Sequence, residues 1–199
     1  MSNRERYAPG AAAGAEVRKQ GDKWTLVLVR ELAHPPAKVW QALTEPEHLR
    51  EWAPFDSNRS LGTVGTATLT TVGAPSPHVT ETQVARADPP KVLEFTWGGQ
   101  DIRWELEPLA GGGGTRLTLW HNIDRRYISM GATGWHVCFD VLERALAGQP
   151  MGRIVGPDAM KVDGWQRLHA EYAKQLGVEM PSWPPSSPSS SSPSSSSAS

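Results

Sequence analysis

Residues Arg30 to Trp52 (RELAHPPAKVWQALTEPEHLREW) limit the possible folds more than any other stretch of this chain. Pro35 and Pro36 cannot donate to a strand ladder, yet their fixed φ suits the first turn of a helix. Val39, Trp40 and Leu43 follow at helical spacing, which predicts one buried face. Pro46 repeats the device ahead of Leu49 and Trp52. The segment therefore reads as the end of a strand followed by two short helices with almost no loop between them.

On either side the period is two. Trp24 to Leu32 (WTLVLVREL) reads as a first strand, and the threonine-rich Thr63 to Val72 as a half-exposed one. A turn over Gly73 to Pro77 leads to a strand at His78 to Ala87, with others at Val92 to Trp97, Ile102 to Pro108 and Thr115 to His121. Ile102, Trp104 and Leu106 fall on one face, with Arg103, Glu105 and Glu107 on the other. Six or seven strands joined by short turns predict an antiparallel sheet. The period then changes. Trp135, Cys138, Phe139, Leu142 and Leu146 form an apolar helical stripe between Thr133 and Ala147, ended by Gly148 and Pro150. A second helical pattern, Trp165, Leu168, Tyr172 and Leu176, lies between Met160 and Gly177, with a loop or kink between the two. The fold class is α+β.

Residues 1–21 are rich in Ala, Gly and charge and read as a disordered N-terminal tail. Residues 179–199 read as a disordered Ser/Pro-rich tail, leaving one domain over 22–178. The 20 Lys and Arg balance 21 Asp and Glu, with no basic block, so neither nucleic acid nor a membrane surface is an expected partner. The N-terminus lacks the apolar core of a secretory signal, and no apolar run is long enough to span a bilayer. Cys138 is the only cysteine, which excludes an intrachain disulfide and fits a reduced, cytoplasmic protein.

No compact catalytic motif emerges. Gly111 to Gly114 lies between two strands and is not followed by Lys–Ser/Thr, so it reads as a hairpin loop rather than a phosphate cradle. The six histidines show no metal-ligand spacing, and no metal or cofactor is expected. Cys138 lies within the apolar stripe and reads as an inert thiol. His136 stands roughly 200° around the helix from it, which argues against a Cys–His pair. His136 and Asp140 are one turn apart and read as a pair on the helix surface. Arg30, Glu81, Glu94 and Arg103 are strand charges: an interior Arg–carboxylate pair would be a recognition feature, whereas the outer face needs no such explanation. Nine tryptophans against three phenylalanines and three tyrosines suit either a bulky core or an aromatic-lined cavity.

The segments HPP with Val39–Trp40, LTEPEHLREW (Leu43 to Trp52), FTWG (Phe95 to Gly98), WELEP (Trp104 to Pro108), GGTRLTLWH (Gly113 to His121) and GWHVCFDVLERALAG (Gly134 to Gly148) occur in the order found in a known superfamily. Over roughly residues 22 to 177 the chain resembles the SRPBCC (START-like) superfamily, in its branch similar to the Hsp90 ATPase activator homologues. That resemblance implies the helix-grip fold, a curved antiparallel sheet of six to seven strands wrapped around a long C-terminal helix. It also implies binding of a small hydrophobic ligand or lipid between sheet and helix, with Trp52, Phe55, Trp97, Trp135 and Phe139 as the expected lining. A cyclase- or hydrolase-like enzyme in the same pocket is the alternative, with His121, Glu94 and Arg103 as acid/base candidates. A module regulating a chaperone ATPase is the third reading. A sheet edge or the C-terminal helix would serve a homodimer.

Overall fold

The computed structural model describes residues 4, 6–73 and 76–181. The centre of the Gly73–Pro77 turn and the Ser/Pro tract from residue 182 onward lie outside the described residues. The chain runs through β1 (Ala15–Gln20), β2 (Lys23–Leu32), α1 (Pro36–Thr44), α2 (Pro46–Trp52), β3 (Phe55–Ser57), β4 (Gly65–Thr71), β5 (His78–Val84), β6 (Arg86–Asp88), β7 (Val92–Trp97), β8 (Gln100–Pro108) and β9 (Thr115–Asn122). Then come α3 (Ile128–Leu146), the short α4 (Pro157–Met160) and α5 (Trp165–Leu176). A six-stranded antiparallel sheet has the order β1-β2-β9-β8-β7-β6, and β3-β4-β5 form a second, three-stranded sheet. This is the expected helix-grip architecture, with the C-terminal helix in two pieces.

The proline-started pair forms as the sequence dictates. Pro36 and Pro46 each occupy the first turn of their helices, where a missing N–H costs nothing. Trp52 buries its ring and donates its indole N–H to Ala42 O at 2.9 Å, which fixes α2 against α1. Lys38 at the start of α1 reaches Leu146 O at 2.6 Å, placing a cation at the carbonyl end of α3.

Register decides which face is inside. Leu28 of β2 pairs with Leu119 of β9, Leu119 with Trp104 of β8, and Trp104 with Leu93 of β7. Directly opposed side chains share a face, so these four buried residues form one row beneath α3. The neighbouring buried row is Leu26, His121, Ile102 and Phe95. Between these rows, facing outward, Trp120, Arg103, Glu94 and Arg86 follow one another across the sheet.

Three expectations need correction. Residues 15–20 are not part of a disordered tail but pair with Lys23–Leu28 as an edge strand, and Tyr7 is buried. Backbone pairing asks nothing of the long polar side chains, Glu16, Arg18, Lys19 and Gln20, that hid this edge strand. The strand expected over His78–Ala87 breaks at Ala85, so that β5 pairs with β4 and β6 with β7. A three-residue strand, β3, was not foreseen, because Phe55–Ser57 is too short to show a period.

At the seam between the sheets, Thr82 of β5 donates its hydroxyl to Thr96 O of β7 at 2.5 Å and accepts from Thr96 N at 3.1 Å. One side chain thus supplies the rung that the parted backbones cannot. Thr82→Val keeps the shape but leaves the Thr96 N–H and C=O without these partners. The expected loss is about 1–3 kcal/mol, read from the midpoint of urea unfolding, with Thr82→Ser close to wild type.

Candidate functional site

The inner face of the sheet, α2, β3 and the middle of α3 bring together seven of the chain's fifteen Phe, Tyr and Trp residues. Trp104 contacts Trp52 at 6.1 Å, Trp135 at 5.5 Å and Phe139 at 5.9 Å between ring centroids. Phe55 contacts Phe95 at 5.8 Å and Trp97 at 5.4 Å, and Trp97 contacts Trp135 at 5.8 Å. The five residues expected to line a pocket, Trp52, Phe55, Trp97, Trp135 and Phe139, therefore lie in one continuous ring cluster. The rings themselves occupy the space between the sheet and α3. Trp52, Phe55, Trp135 and Phe139 are at most 3% exposed, whereas Trp97 is only half-buried and donates its N–H to Thr71 Oγ1 at 2.9 Å.

His121 sits within this cluster, 3% exposed. The indole N–H of Trp135 can only donate, so His121 Nδ1, 3.0 Å away, must be the acceptor. Nε2 then carries the proton and donates to Gln100 Oε1 at 2.7 Å. The chain Trp135–His121–Gln100 fixes one neutral tautomer. Burial also lowers the imidazole pKa to about 4, which keeps His121 neutral and weakly basic near neutral pH. Gln100 belongs at the same time to a cleft of about 490 Å3 at the strand ends, which Trp24, Asp101, Asn122 and Arg125 also line. Trp24 stands between two cations there, with Lys19 at 5.2 Å and Arg125 at 5.4 Å from its ring. His121 thus connects the closed interior to this cleft through one amide.

The three acid/base candidates are not brought together. Glu94 and Arg103 pair with each other at 2.7 Å on the outer face, and Arg103 also holds Glu105, while His121 points inward. A one-residue change in strand parity separates them: positions 94 and 103 share one face, and His121 shares the other with Ile102. Glu94 and Arg103 line a second, outward cleft of about 590 Å3 with Trp120, over whose ring the Arg18 guanidinium lies at 4.4 Å.

A polar cluster that the sequence placed on the surface is buried at the other end of the rings. Asp140 of α3 accepts from the Tyr7 hydroxyl at 2.7 Å and lies 3.5 Å from His136 Nε2 and 3.3 Å from Arg30 Nη2. His136 is 2% exposed, and its Nδ1 meets the Tyr172 hydroxyl at 2.8 Å. The Arg30 guanidinium lies 5.9 Å from the centre of the Phe139 ring, which joins this cluster to the aromatic one. Burial raises the Asp140 carboxyl pKa, but hydrogen bonding and charge from His136, the Tyr7 hydroxyl and Arg30 outweigh it and hold the group below the usual carboxylate range. Burial, reinforced by Asp140, pushes the Tyr7 hydroxyl well up, so that it stays protonated as the donor. Sequence reasoning missed Tyr7 because it stands alone in an Ala/Gly-rich run. Cys138 is a buried free thiol whose pKa burial pushes up to about 12, far from a reactive thiolate. Among the described residues no group of three His, Cys, Asp or Glu is placed to hold a metal ion.

Two outcomes follow. Because the folded pKa of His121 is depressed, the unfolded chain binds the extra proton first as pH falls. The stabilising contribution is complete above about 6.5 and is lost between there and about 4. The shift corresponds to roughly 3 kcal/mol. Denaturant titrations across that window should show a steeper loss for wild type than for His121→Gln, whose amide oxygen can still accept from Trp135. By contrast, the half-exposed Glu94–Arg103 pair should contribute at most about 1 kcal/mol, so Arg103→Gln should leave the unfolding midpoint almost unmoved.

Comparison with solved structures agrees with the architecture. A conserved protein of unknown function from Enterococcus faecalis, EF2215, superposes with a TM-score of 0.62 at 16% identity, over 82% of this chain and 90% of that one. CalU16 from Micromonospora echinospora gives 0.58 at 19% identity, over 80% and 94%. The protein encoded by BPP1335 from Bordetella parapertussis gives 0.58 at 25% identity, over 90% and 97%. No functionally curated protein matches in sequence. The profile of the family described as "Activator of Hsp90 ATPase homolog 1-like protein" matches residues 33–147, more than half of the 199-residue chain. The chain belongs to that family.

Proposed function

We propose that the protein binds a small, ring-containing apolar molecule at the Trp97 end of the aromatic cluster. Family membership supports either a ligand-binding module or a regulator of an Hsp90-type ATPase. The observation that favours ligand binding is the Trp135–His121–Gln100 chain, a fixed polar unit at the seam between the closed rings and the 490 Å3 cleft. Both ring nitrogens of His121 are paired, as burial demands, and one of the two partners, Gln100, borders the cleft, where a ligand group could take its place.

Trp97 is the gate in this reading. It is the least buried member of the cluster and borders Phe55, His121 and Trp135. Rotation of its ring would open the interior toward Gln100. A bound molecule would stack on Phe55 and Trp135, and a polar substituent would take over the Gln100 bond to His121. Burying roughly 300 Å2 of apolar ligand surface contributes about 7 kcal/mol before ordering costs. Affinities of tens of micromolar or weaker are therefore expected for a simple probe. The site would work in a reducing cytoplasm, in keeping with the buried free thiol of Cys138. Among the described residues no helix is long and apolar enough to cross a membrane.

The test is a titration with the neutral probe N-phenyl-1-naphthylamine, followed by probe and tryptophan fluorescence. Saturable binding should weaken at least fivefold in Trp97→Ala and remain unchanged in Arg103→Gln on the outer face. Absence of saturable binding across a panel of neutral aromatic and alkyl probes would sink the proposal. It would leave chaperone docking, assayed as a change in the ATPase rate of an Hsp90-type protein, as the reading to pursue.

A further inference from the structure

The N-terminal segment is held by Arg4, which donates to Arg153 O at 3.0 Å and pairs with Asp158, and by the buried ring of Tyr7. In Tyr7–Gly14 (YAPGAAAG) only Tyr7 carries a large side chain, and its residue is 7% exposed with the hydroxyl on Asp140. The rest of this strap is held by side chains along one side of α5. Arg167 donates to Pro9 O at 2.7 Å, Ala12 N donates to Glu171 Oε2 at 2.9 Å, and the Tyr172 hydroxyl donates to Ala13 O at 3.2 Å. Gly14 then turns the chain into β1 at φ +61°, where a Cβ would collide with Val29 O. Strap and α5 both lie outside the family-matched segment, residues 33–147.

What lies beneath Tyr7 does not need Tyr7. Asp140 keeps Arg30 on one oxygen and His136 near the other, so withdrawing the phenol leaves no orphaned charge. Removing the strap would expose a ready-made slot. It is sized for one ring, with an ionised carboxylate as acceptor at its end and a guanidinium beside it. The occupant displays the chemistry the slot accepts. We propose that this slot is a binding site for phenolic small molecules, and that Tyr7 is its built-in competitor, carried on a strap that a ligand can displace.

The strap suits displacement. Apart from the buried Pro9, its alanines and glycines bury little apolar area, and its fastening relies on hydrogen bonds to three side chains, of which Arg167 is exposed. Such a segment belongs to the low-stability end of a structure, able to open without global unfolding. A short tether keeps Tyr7 at an effective concentration of order millimolar, so a bare phenol must reach that range to compete. A larger phenol extending past Arg30 toward Phe139 would bind more tightly. The hydroxyl sets specificity, because a hydrogen bond to an ionised acceptor is about twice as strong as a neutral one, and a ring without it leaves that acceptor unfilled.

The proposal is independent of the Trp97 site and is tested with a different readout. The full chain, as wild type and as Tyr7→Ala, is titrated with p-cresol and with toluene. Hydrogen exchange of residues 8–14 and thermal stability are measured. Tyr7→Ala should bind p-cresol at least tenfold more tightly than toluene, and at least tenfold more tightly than wild type does. Adding Asp140→Asn should abolish the preference. In wild type, millimolar p-cresol should speed exchange in the strap while exchange in β8 and β9 stays unchanged. Equal binding of toluene and p-cresol by Tyr7→Ala overturns the phenol site. An unresponsive wild-type strap at concentrations saturating Tyr7→Ala overturns displacement and makes Tyr7 a permanent anchor. Should Tyr7→Ala not fold, Tyr7→Phe serves instead. Its strap should yield to p-cresol at a concentration at least fivefold lower than in wild type, and an unchanged concentration overturns the proposal.

Discussion

Trp104 is the side chain on which the two layers meet. It occupies the middle of the inner row that runs from Leu28 to Leu93, and no other ring touches partners on both α2 and α3 among the aromatic contacts described. A fully buried ring of this kind contributes roughly 1.5–3 kcal/mol by burial, and each edge-on ring neighbour roughly 0.5–1.5 kcal/mol more. The other features follow from where it sits. The α1–α2 pair must lie flat against the sheet to deliver Trp52, and α3 must cross the sheet at a height that presents Trp135 and Phe139 together. Trp135, once there, points its only polar atom at His121, and that contact selects the imidazole's tautomer and with it the role of Gln100.

The fold was legible because its signals are local and repetitive. Two proline-started helices, a switch of period from two to 3.6, and alternation over Ile102–Leu106 each predict an element without knowledge of the others. Inward placement of Trp52, Trp104, Trp135 and Phe139 followed from the same patterns. What escaped depends on relations across the chain. Arg103 and His121 could not be separated until the register put them on opposite faces. His136 and Asp140 look like an exposed helix pair, since the residues that cover them, Tyr7 and Tyr172, come from segments more than thirty positions away in sequence. The strap itself was invisible, because it binds through its backbone and carries almost no side-chain pattern.

His121 and Asp140 sit toward opposite ends of the ring cluster, beside Trp97 and near Phe139 respectively, and physical economy explains the arrangement. An imidazole or carboxylate in the middle of the rings would find no partners, and the desolvation of each would go uncompensated. At the ends, partners come from elements that are themselves only partly anchored: Gln100 at the border of a cleft for His121, and Tyr7 on an alanine- and glycine-rich strap for Asp140. At these two places the polar group is satisfied by a partner that borders solvent or is carried on a segment with few large side chains. A core of rings and leucines has no comparable places along its length, since any opening there exposes apolar surface with no polar group gaining a new partner. A ligand able to replace one of these end contacts would inherit a partner already oriented to receive it.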